Sequence, residues 1–562
     1  MAPWWHSAVV YQIYPRSFAD SNADGIGDLR GVTAHLDYLA DLGIDVVWLS
    51  PVYRSPMEDN GYDIADYTDV DPMFGSLADL DELIAGLHAR GMKLVMDLVV
   101  NHTSDQHRWF QESRDPSSPK RDWYFWRPAR PGFEPGSPGA EPTNWASFFG
   151  GRGWEYDDAS GEYYLHLFAP GQPDLNWENP EVRSAVYEMM RWWVDRGVDG
   201  FRMDVINLIS KTMPLTDGAV APGDDVSYEV GLVVNGPRMH EFLKEMNREV
   251  GLTDRSLFSV GEMVMVDVDQ ARDYTDAAAN ELTMVFTFEH MMLDQEPGQL
   301  KWNHRPLHLP ELKRTLTAWQ DGLAERGWNS LFLENHDVPR SVSRFGDDSP
   351  QHRVASAKSL ATVLHLLRGT PYIYQGQELG MTNAGFTSIE QYDDIESRQF
   401  YLLATQAGMD AEQALGLLAL KSRDNARTPM QWDASPQAGF SAATPWLAVN
   451  PNHTWINVEA ATADPDSVLH HYRRLIALRH ELEVVREGRF DLLLPADETL
   501  FAYTRSLGAD RLLVVANLGG DERGLPLGEL PSLVGATLLL GTHDADRPVL
   551  AAWESRVYAL QR

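Results

Sequence analysis

Three acidic residues stand where short apolar runs end: Asp204 in "GFRMDV", Glu262 in "FSVGEM" and Asp337 in "FLENHDVPR". Arg202 comes two positions before Asp204, and residues so spaced on a strand point to the same side. A guanidinium beside a carboxylate favours its ionised form, which is the form a nucleophile needs. An ion pair that only closes a layer of packing would show the same spacing. Gathering several carboxylates is costly unless each has a role. Two acids close together, one ionised and one protonated, are what breaking a glycosidic bond requires. The trio points to that chemistry if the fold brings all three run-ends to one face.

A second constellation is "DSNADGIGD", Asp20 to Asp28. Its alternating oxygens resemble the first half of a calcium loop. A sensor loop closes with a bidentate Glu at its twelfth position; here that position is Gly31. The preceding "AVVYQIYPRSF" also suits a strand better than a helix, so the sensor reading is rejected. A structural Ca²⁺ or Mg²⁺ site is one reading, with the side chains of Asp20, Asn22, Asp24 and Asp28 and the carbonyl of Ile26 as ligands. A polar turn with helix-capping acids and no ion is the other.

The elements that must position these residues are strand-like runs alternating with helical patterns. The runs are 9–14, 46–49, 94–100, 200–204, 257–262, 284–288, 330–334 and 371–375. Roughly eight such runs are what a closed parallel β/α barrel requires, and its active sites sit at the C-terminal ends of the strands. "SLADLDELIAGLHARG" predicts a helix over 76–91, with Leu77, Leu80, Leu83, Ile84 and Leu87 on one face and Gly91 ending it. A doubly wound open sheet is the competing architecture, but it wants a glycine-rich phosphate loop after an early strand, and none is present.

The expected organisation is therefore a (β/α)8 TIM barrel in two parts, 1–103 and 172–480. The Trp-, Pro- and Gly-rich segment 104–171 reads as an inserted loop-rich subdomain over the barrel mouth. Short alternating runs over 481–562, such as "LFAYTRS" and "RLLVVANL", read as a C-terminal antiparallel β domain, a small β-sandwich.

Composition narrows the function. A formal net charge of -35 makes nucleic acid or an anionic membrane an unsuitable partner. The absence of cysteine removes disulfides, zinc–thiolate sites and cysteine nucleophiles. The N-terminal residues show no secretory signal pattern, and no run of about 18 apolar residues suggests a membrane span. A cytoplasmic enzyme without an organic cofactor, a monomer or small homo-oligomer, is expected. The 18 Trp and 20 Tyr suit sugar rings as well as a large core.

At this point the sequence resembles the α-amylase superfamily of glycoside hydrolases, in its oligo-1,6-glucosidase and α-glucosidase branch. The resemblance rests on "DLVVNH", "GFRMDV", "GEM" and "ENHDVPR" in family order, with "QPDLNW" and "RDNARTPMQWD" in addition. It implies that Asp204 is the nucleophile, Glu262 the general acid/base and Asp337 the third acid, with Arg202 as the nucleophile's partner. It implies that His102 and His336 bind sugar hydroxyls and that Asp63 in "NGYDI" pairs with Arg427 around the non-reducing-end glucose, making cleavage exo-type. Tyr62 and Phe168 would stack on sugar, although Phe168 suits ordinary core packing as well. The opening loop resembles a structural Ca²⁺ or Mg²⁺ site of this branch.

Val205, directly after the nucleophile, accompanies α-1,6 preference in related enzymes, so a retaining exo-acting α-glucosidase on short α-1,6 glucosides such as isomaltose is expected. A sucrose-acting isomerase or transglycosylating relative is the alternative, although "SVSRFGDDSP" stands where sucrose isomerases carry an Arg-rich loop. A non-catalytic, transporter-associated glucosidase-like protein is the third; it wants a membrane span and tolerates lost acids.

Overall fold

The computed structural model describes residues 3–543 and 547–561. Eight parallel strands form one sheet: β1 (Val10–Ile13), β2 (Val46–Leu49), β3 (Lys93–Val99), β4 (Gly200–Asp204), β5 (Phe258–Glu262), β6 (Met284–Phe286), β7 (Ser330–Leu331) and β8 (Thr370–Tyr374). Their order is β6-β5-β4-β3-β2-β1-β8-β7. A parallel bridge between Val285 and Asn329 joins the two ends and closes the barrel. All eight expected runs lie in it.

These strands read as nearly continuous apolar runs because both faces are buried. Side chains alternate across the sheet. Val10, Val46, Trp48, Val95, Phe258, Val260, Phe286 and Tyr372 fill the interior. Tyr11, Val47, Met96, Phe201 and Met203 belong to the core beneath the surrounding helices. The interior is apolar up to the C-terminal ends, where Gln12, Asp97, Arg202 and Glu262 replace it, buried.

The expected helix forms over Leu77–Ala89. Ser76 and Asp79 make a reciprocal capping box at its start, an arrangement worth about 1 kcal/mol. Leu80, Leu83, Ile84 and Leu87 are buried, while Leu77 is half-buried. The shortest strand is β7, which stops at Leu331 instead of running to Glu334. The cause is Glu334 itself. Its buried Oε1 accepts hydrogen bonds from the backbone N–H (2.7 Å) and hydroxyl (2.6 Å) of Ser341. Arg340 Nη1 lies 3.4 Å from its other oxygen. Glu334 thus folds the loop carrying His336 and Asp337 back over the barrel end.

Segment 104–171 contains the helix Arg108–Ser113 and three antiparallel strands, Trp126–Arg127, Glu162–Leu165 and Trp154–Asp157. Bridges His102–Asp174 and Tyr124–Leu175 tie its roots to the end of β3. After β8, helices Ile395–Gln406 and Ala411–Lys421 lead into the short helix Asp424–Arg427.

The C-terminal part is a five-stranded antiparallel sheet of β9 (Arg489–Leu493), β10 (Leu500–Leu507), β11 (Asp510–Asn517), β12 (Thr537–Gly541) and β13 (Ser555–Ala559), in the order β9-β10-β11-β13-β12. One face (Phe501, Tyr503, Leu512, Val514, Val557) joins the main core. The other (Leu500, Ala502, Leu513, Val515, Tyr558) packs with Leu550 of the two-stranded ribbon Arg523–Gly524 and Val549–Leu550 and with Leu525 just after its first strand. Lys313 Nζ donates to the carbonyls of Leu494, Asp497 and Leu500, fixing this sheet to the barrel. Among the described residues no helix is long and apolar enough to cross a membrane.

Candidate active site

The three acids meet at the C-terminal end of the barrel. Asp204 and Glu262 end adjacent strands β4 and β5, and Asp337 lies in the loop after β7. All three line one cavity of about 170 Å³ together with Asp59, Tyr62, His102, Phe149, Phe168, Val205 and Arg423. This is below the ~300 Å³ at which pockets for drug-sized ligands begin, and suits a single ring.

Arg202 organises the base. Its Nη1 lies 2.8 Å from Asp97 Oδ1 and 2.5 Å from Asp204 Oδ1, and its Nη2 lies 2.9 Å from Glu262 Oε2. Its side chain is 1% exposed, so these charges meet without water between them. Burial pushes Glu262 up to about 7, against the pull of Arg202. Burial raises Asp204 too, and Arg202 at hydrogen-bond distance opposes it. Asp97 is raised to about 6 by burial and held by Arg202 and by the Trp48 indole and Tyr62 hydroxyl, each donating at 3.0 Å. Asp337 differs. Burial would raise it, but His336, Arg423 and Arg427 together hold it well below the usual carboxylate range. The site therefore separates one firmly ionised acid from two whose protonation is shared near neutral pH, the pattern that assigns acid and base roles.

Val205 departs from ordinary backbone geometry, with φ +35° and ψ +40°. For a β-branched residue this is a genuine outlier, of a kind that costs about 1–3 kcal/mol and clusters at active sites. The turn lets the Val205 N–H donate to Glu262 Oε2 at 3.1 Å and puts the side chain in the pocket wall. Tyr62 stacks on His336, with ring centroids 5.2 Å apart and planes at 5°. His336 takes part through Gln12, 2.7 Å from its Nδ1, and lies 3.0 Å from Asp337. His102 donates from Nε2 to the Tyr62 carbonyl at 3.0 Å; burial lowers it to about 4, so the ring is neutral at physiological pH.

The pairing of Asp63 with Arg427 does not form. Asp63 is fully buried and accepts from the Ser55 hydroxyl (3.0 Å) and the backbone N–H groups of Glu58 (2.8 Å) and Asp59 (3.2 Å). It ties the turn 55–63 and does not line the pocket. The acid that does is Asp59, with Arg423 Nη2 3.2 Å away. Arg423 is fixed in turn by Asp394 at 2.6 Å, and Asp59 also accepts from Gln172 Nε2 at 3.2 Å. Arg427 sits behind Asp337, 3.0 Å from Oδ1, and donates from Nε to the His336 carbonyl at 2.8 Å. Asp59 directly precedes the stretch "NGYDI" and Arg423 opens "RDNARTPMQWD"; in each, a neighbouring residue of the same charge was available. Phe168 lines the pocket and also packs on His102 and Phe148.

The loop of Asp20–Asp28 lies apart from the cavity. Asp20 accepts from the N–H groups of Asn22, Ala23 and Gly25 and from the Ser441 hydroxyl. Asn22 accepts from Asp24, and Asp24 from Ile26. Asp28 caps a helix through Gly31 and accepts from Ser21. Among the described residues no three His, Asp or Glu side chains converge as a metal would need. Several of the loop's oxygens accept from its own amides, while Asp24 engages only one of its two carboxylate oxygens in this way.

Comparison with known proteins agrees with this geometry. The family model "Alpha amylase, catalytic domain" matches residues 12–488. The oligo-1,6-glucosidase of Parageobacillus thermoglucosidasius is 53% identical over 569 residues, covering 99% of each chain. The glucan 1,6-alpha-glucosidase of Streptococcus pneumoniae is 48% identical, covering 98% of each. The crystal structure of Bacillus licheniformis trehalose-6-phosphate hydrolase superimposes with a TM-score of 0.92 at 45% identity over 100% of both chains. With a closed barrel, clustered acids and relatives along its whole length, this chain belongs to the α-amylase family of glycoside hydrolases.

Proposed function

We propose that the protein is a retaining, exo-acting α-glucosidase that removes single glucose units from short α-1,6-linked glucosides such as isomaltose. One observation carries the reading: Asp204 and Glu262 hold adjacent nitrogens of one guanidinium at the base of a one-ring pocket whose far wall is the Asp59–Arg423 pair. Carboxyls so closely tied suit the roughly 5–5.5 Å separation of retaining enzymes, not the ~6.5–9.5 Å that leaves room for a water in inverting ones. Asp204, ionised against Arg202, attacks the anomeric carbon as protonated Glu262 delivers its proton to the departing oxygen. The ester on Asp204 is then hydrolysed by a water that Glu262 deprotonates. Asp337 stays ionised throughout, suited to holding hydroxyls and opposing the positive charge that develops on the ring.

The α-1,6 preference is supported by the full-length likeness to oligo-1,6-glucosidases and by Val205 in the wall beside the nucleophile. A panel of isomaltose, maltose, sucrose, trehalose and trehalose 6-phosphate, with product anomers followed by NMR, tests the reading. Isomaltose should be the best substrate and α-glucose the first product; β-glucose as the first product would refute retention, and a preference for sucrose or a trehalose would refute the substrate. A cytoplasmic location is proposed with it, since a cysteine-free chain takes nothing from an oxidising compartment.

The structural cation stays a proposal. Its support is the run of hard oxygen donors over Asp20–Asp28, in which Asp24 engages only one carboxylate oxygen with the loop's amides. Adding Ca²⁺ or Mg²⁺ to chelator-treated protein should then raise Tm; an unchanged Tm would make the loop a turn and nothing more.

A further inference from the structure

A second cavity, of about 460 Å³, opens on the flank of the barrel, away from the acids. It lies between the strand Asp66–Val70, the segment from His107 to Trp123 and the helix Pro180–Arg196. Nothing in the proposed reaction uses it. Three indoles line it: Trp109, Trp123 and Trp192. Trp109 and Trp123 meet edge to face, with centroids 5.0 Å apart. Trp192, half-buried, has the Arg196 guanidinium 5.2 Å from its ring.

Among the described residues, two polar groups of the cavity keep hydrogen-bonding capacity unused. His107 is 5% exposed, and its Nδ1 accepts from the Trp109 backbone N–H at 3.1 Å. That bond places the ring proton on Nε2, which has no protein partner among the described residues. Burial lowers His107 to about 3, so the ring is a neutral donor. Asp66 commits one oxygen to Thr68, and its other oxygen has no hydrogen-bond partner among the described residues. Glu188 is exposed at the rim.

We infer that this cavity is a second carbohydrate-binding site, which takes a neutral α-glucoside of one or two rings by stacking on indole faces and hydrogen-bonding to His107, Asp66 and Glu188. Flat aromatic walls with a few placed polar groups are the usual construction of a small-molecule site. An anionic ligand is disfavoured because both cations of the lining, Arg108 and Lys120, are already held by Glu112, at 3.6 and 3.9 Å. A cationic ligand is disfavoured because Lys120 Nζ already occupies the Trp123 face, 3.8 Å from its centre. The sugar class rests on the glucosidase reading above. The floor also touches the active site's frame, since the Tyr67 hydroxyl lies 2.7 Å from the Val99 carbonyl and 3.1 Å from that of His102.

Calorimetric titration of the full-length Asp204→Asn protein with isomaltose tests this without turnover. Two classes of site are expected, one in the catalytic pocket and one in the cavity. Trp192→Ala in that background should weaken the second class at least tenfold and leave the first unchanged. Glu188→Ala, at an exposed position, should weaken the second class severalfold and guards against a folding defect in the tryptophan variant. A single class in the Asp204→Asn protein, or two classes untouched by both substitutions, overturns the cavity site alone. No binding at all overturns the glucosidase reading as well.

Discussion

Two aspartates four residues apart, Asp59 and Asp63, differ in what they do, and neutralising each to Asn should separate binding from stability. Asp59→Asn leaves the backbone of the turn unchanged and removes a carboxylate that faces Arg423 at 3.2 Å and the pocket. A hydrogen bond to a charged group is worth about 1.5–3 kcal/mol. Asn can still accept from Arg423, so the loss falls on the charged hydrogen bond to a sugar hydroxyl, ~1.5–3 kcal/mol of transition-state stabilisation. At 1.36 kcal/mol per factor of ten, kcat/KM on isomaltose should fall by about 10–10², with Tm close to native. Asp63→Asn turns an NH2 toward one of the backbone N–H groups that the carboxylate now accepts, those of Glu58 and Asp59. A buried donor left unpaired costs about 1–3 kcal/mol. Tm should drop by several degrees, while the protein that remains folded keeps most of its catalytic efficiency. Steady-state kinetics and calorimetry on the two variants decide the matter. If Asp63→Asn loses far more kcat/KM than Asp59→Asn at unchanged Tm, the sugar-binding carboxylate is Asp63 and the reasoning from the hydrogen bonds is wrong.

Asp204→Asn should lower kcat by several orders of magnitude with an unaltered circular dichroism spectrum; substantial residual turnover would remove Asp204 from the nucleophile's role. Val205→Thr keeps the branched shape and adds a hydroxyl, so the ratio of kcat/KM for maltose over isomaltose should rise; a methylene-scale change in a pocket wall is worth about 1–3 kcal/mol, and an unchanged ratio would separate this residue from linkage choice. With Glu262 raised to about 7 by burial, kcat/KM should decline on the alkaline side of neutrality as the general acid loses its proton, the limb belonging to the coupled Asp204–Glu262 pair; a profile flat to pH 9 would contradict that assignment.

How much of this was legible in the sequence follows from what each residue depends on. The barrel strands could be read because burial on both faces leaves uninterrupted apolar runs such as "KLVMDLV". Arg202 and Asp204 could be read together because strand periodicity alone puts them on one side. The Asp59–Arg423 pair could not. Asp59 and Asp63 share one turn, as Arg423 and Arg427 share one short helix, and local pattern does not say which member faces inward. The hydrogen bonds of Asp63 to the turn's own amides settle that choice, and they exist only once the turn is folded. The left-handed backbone of Val205 was equally hidden, since valine is among the residues least suited to it. The role of Glu334 was hidden as well, since it bonds to Ser341, seven residues further along the chain.

The wall made by Asp59 and Arg423 also dictates traffic. With that end shut, the catalytic pocket is a cul-de-sac whose bound glucose can depart only through the side by which the rest of the substrate entered. Beside it, sharing Asp337, lies an apolar hollow of about 300 Å³ lined by Phe148, Val264, Met265, Met292 and Val338. In the exo-type cleavage proposed, the leaving sugar departs toward this side, the hydrolytic water enters by the gap so created, and the cleaved glucose is last out. Glucose should therefore compete directly with incoming substrate, and turnover in concentrated product should be throttled at the exit while the bond-breaking step itself is unaffected.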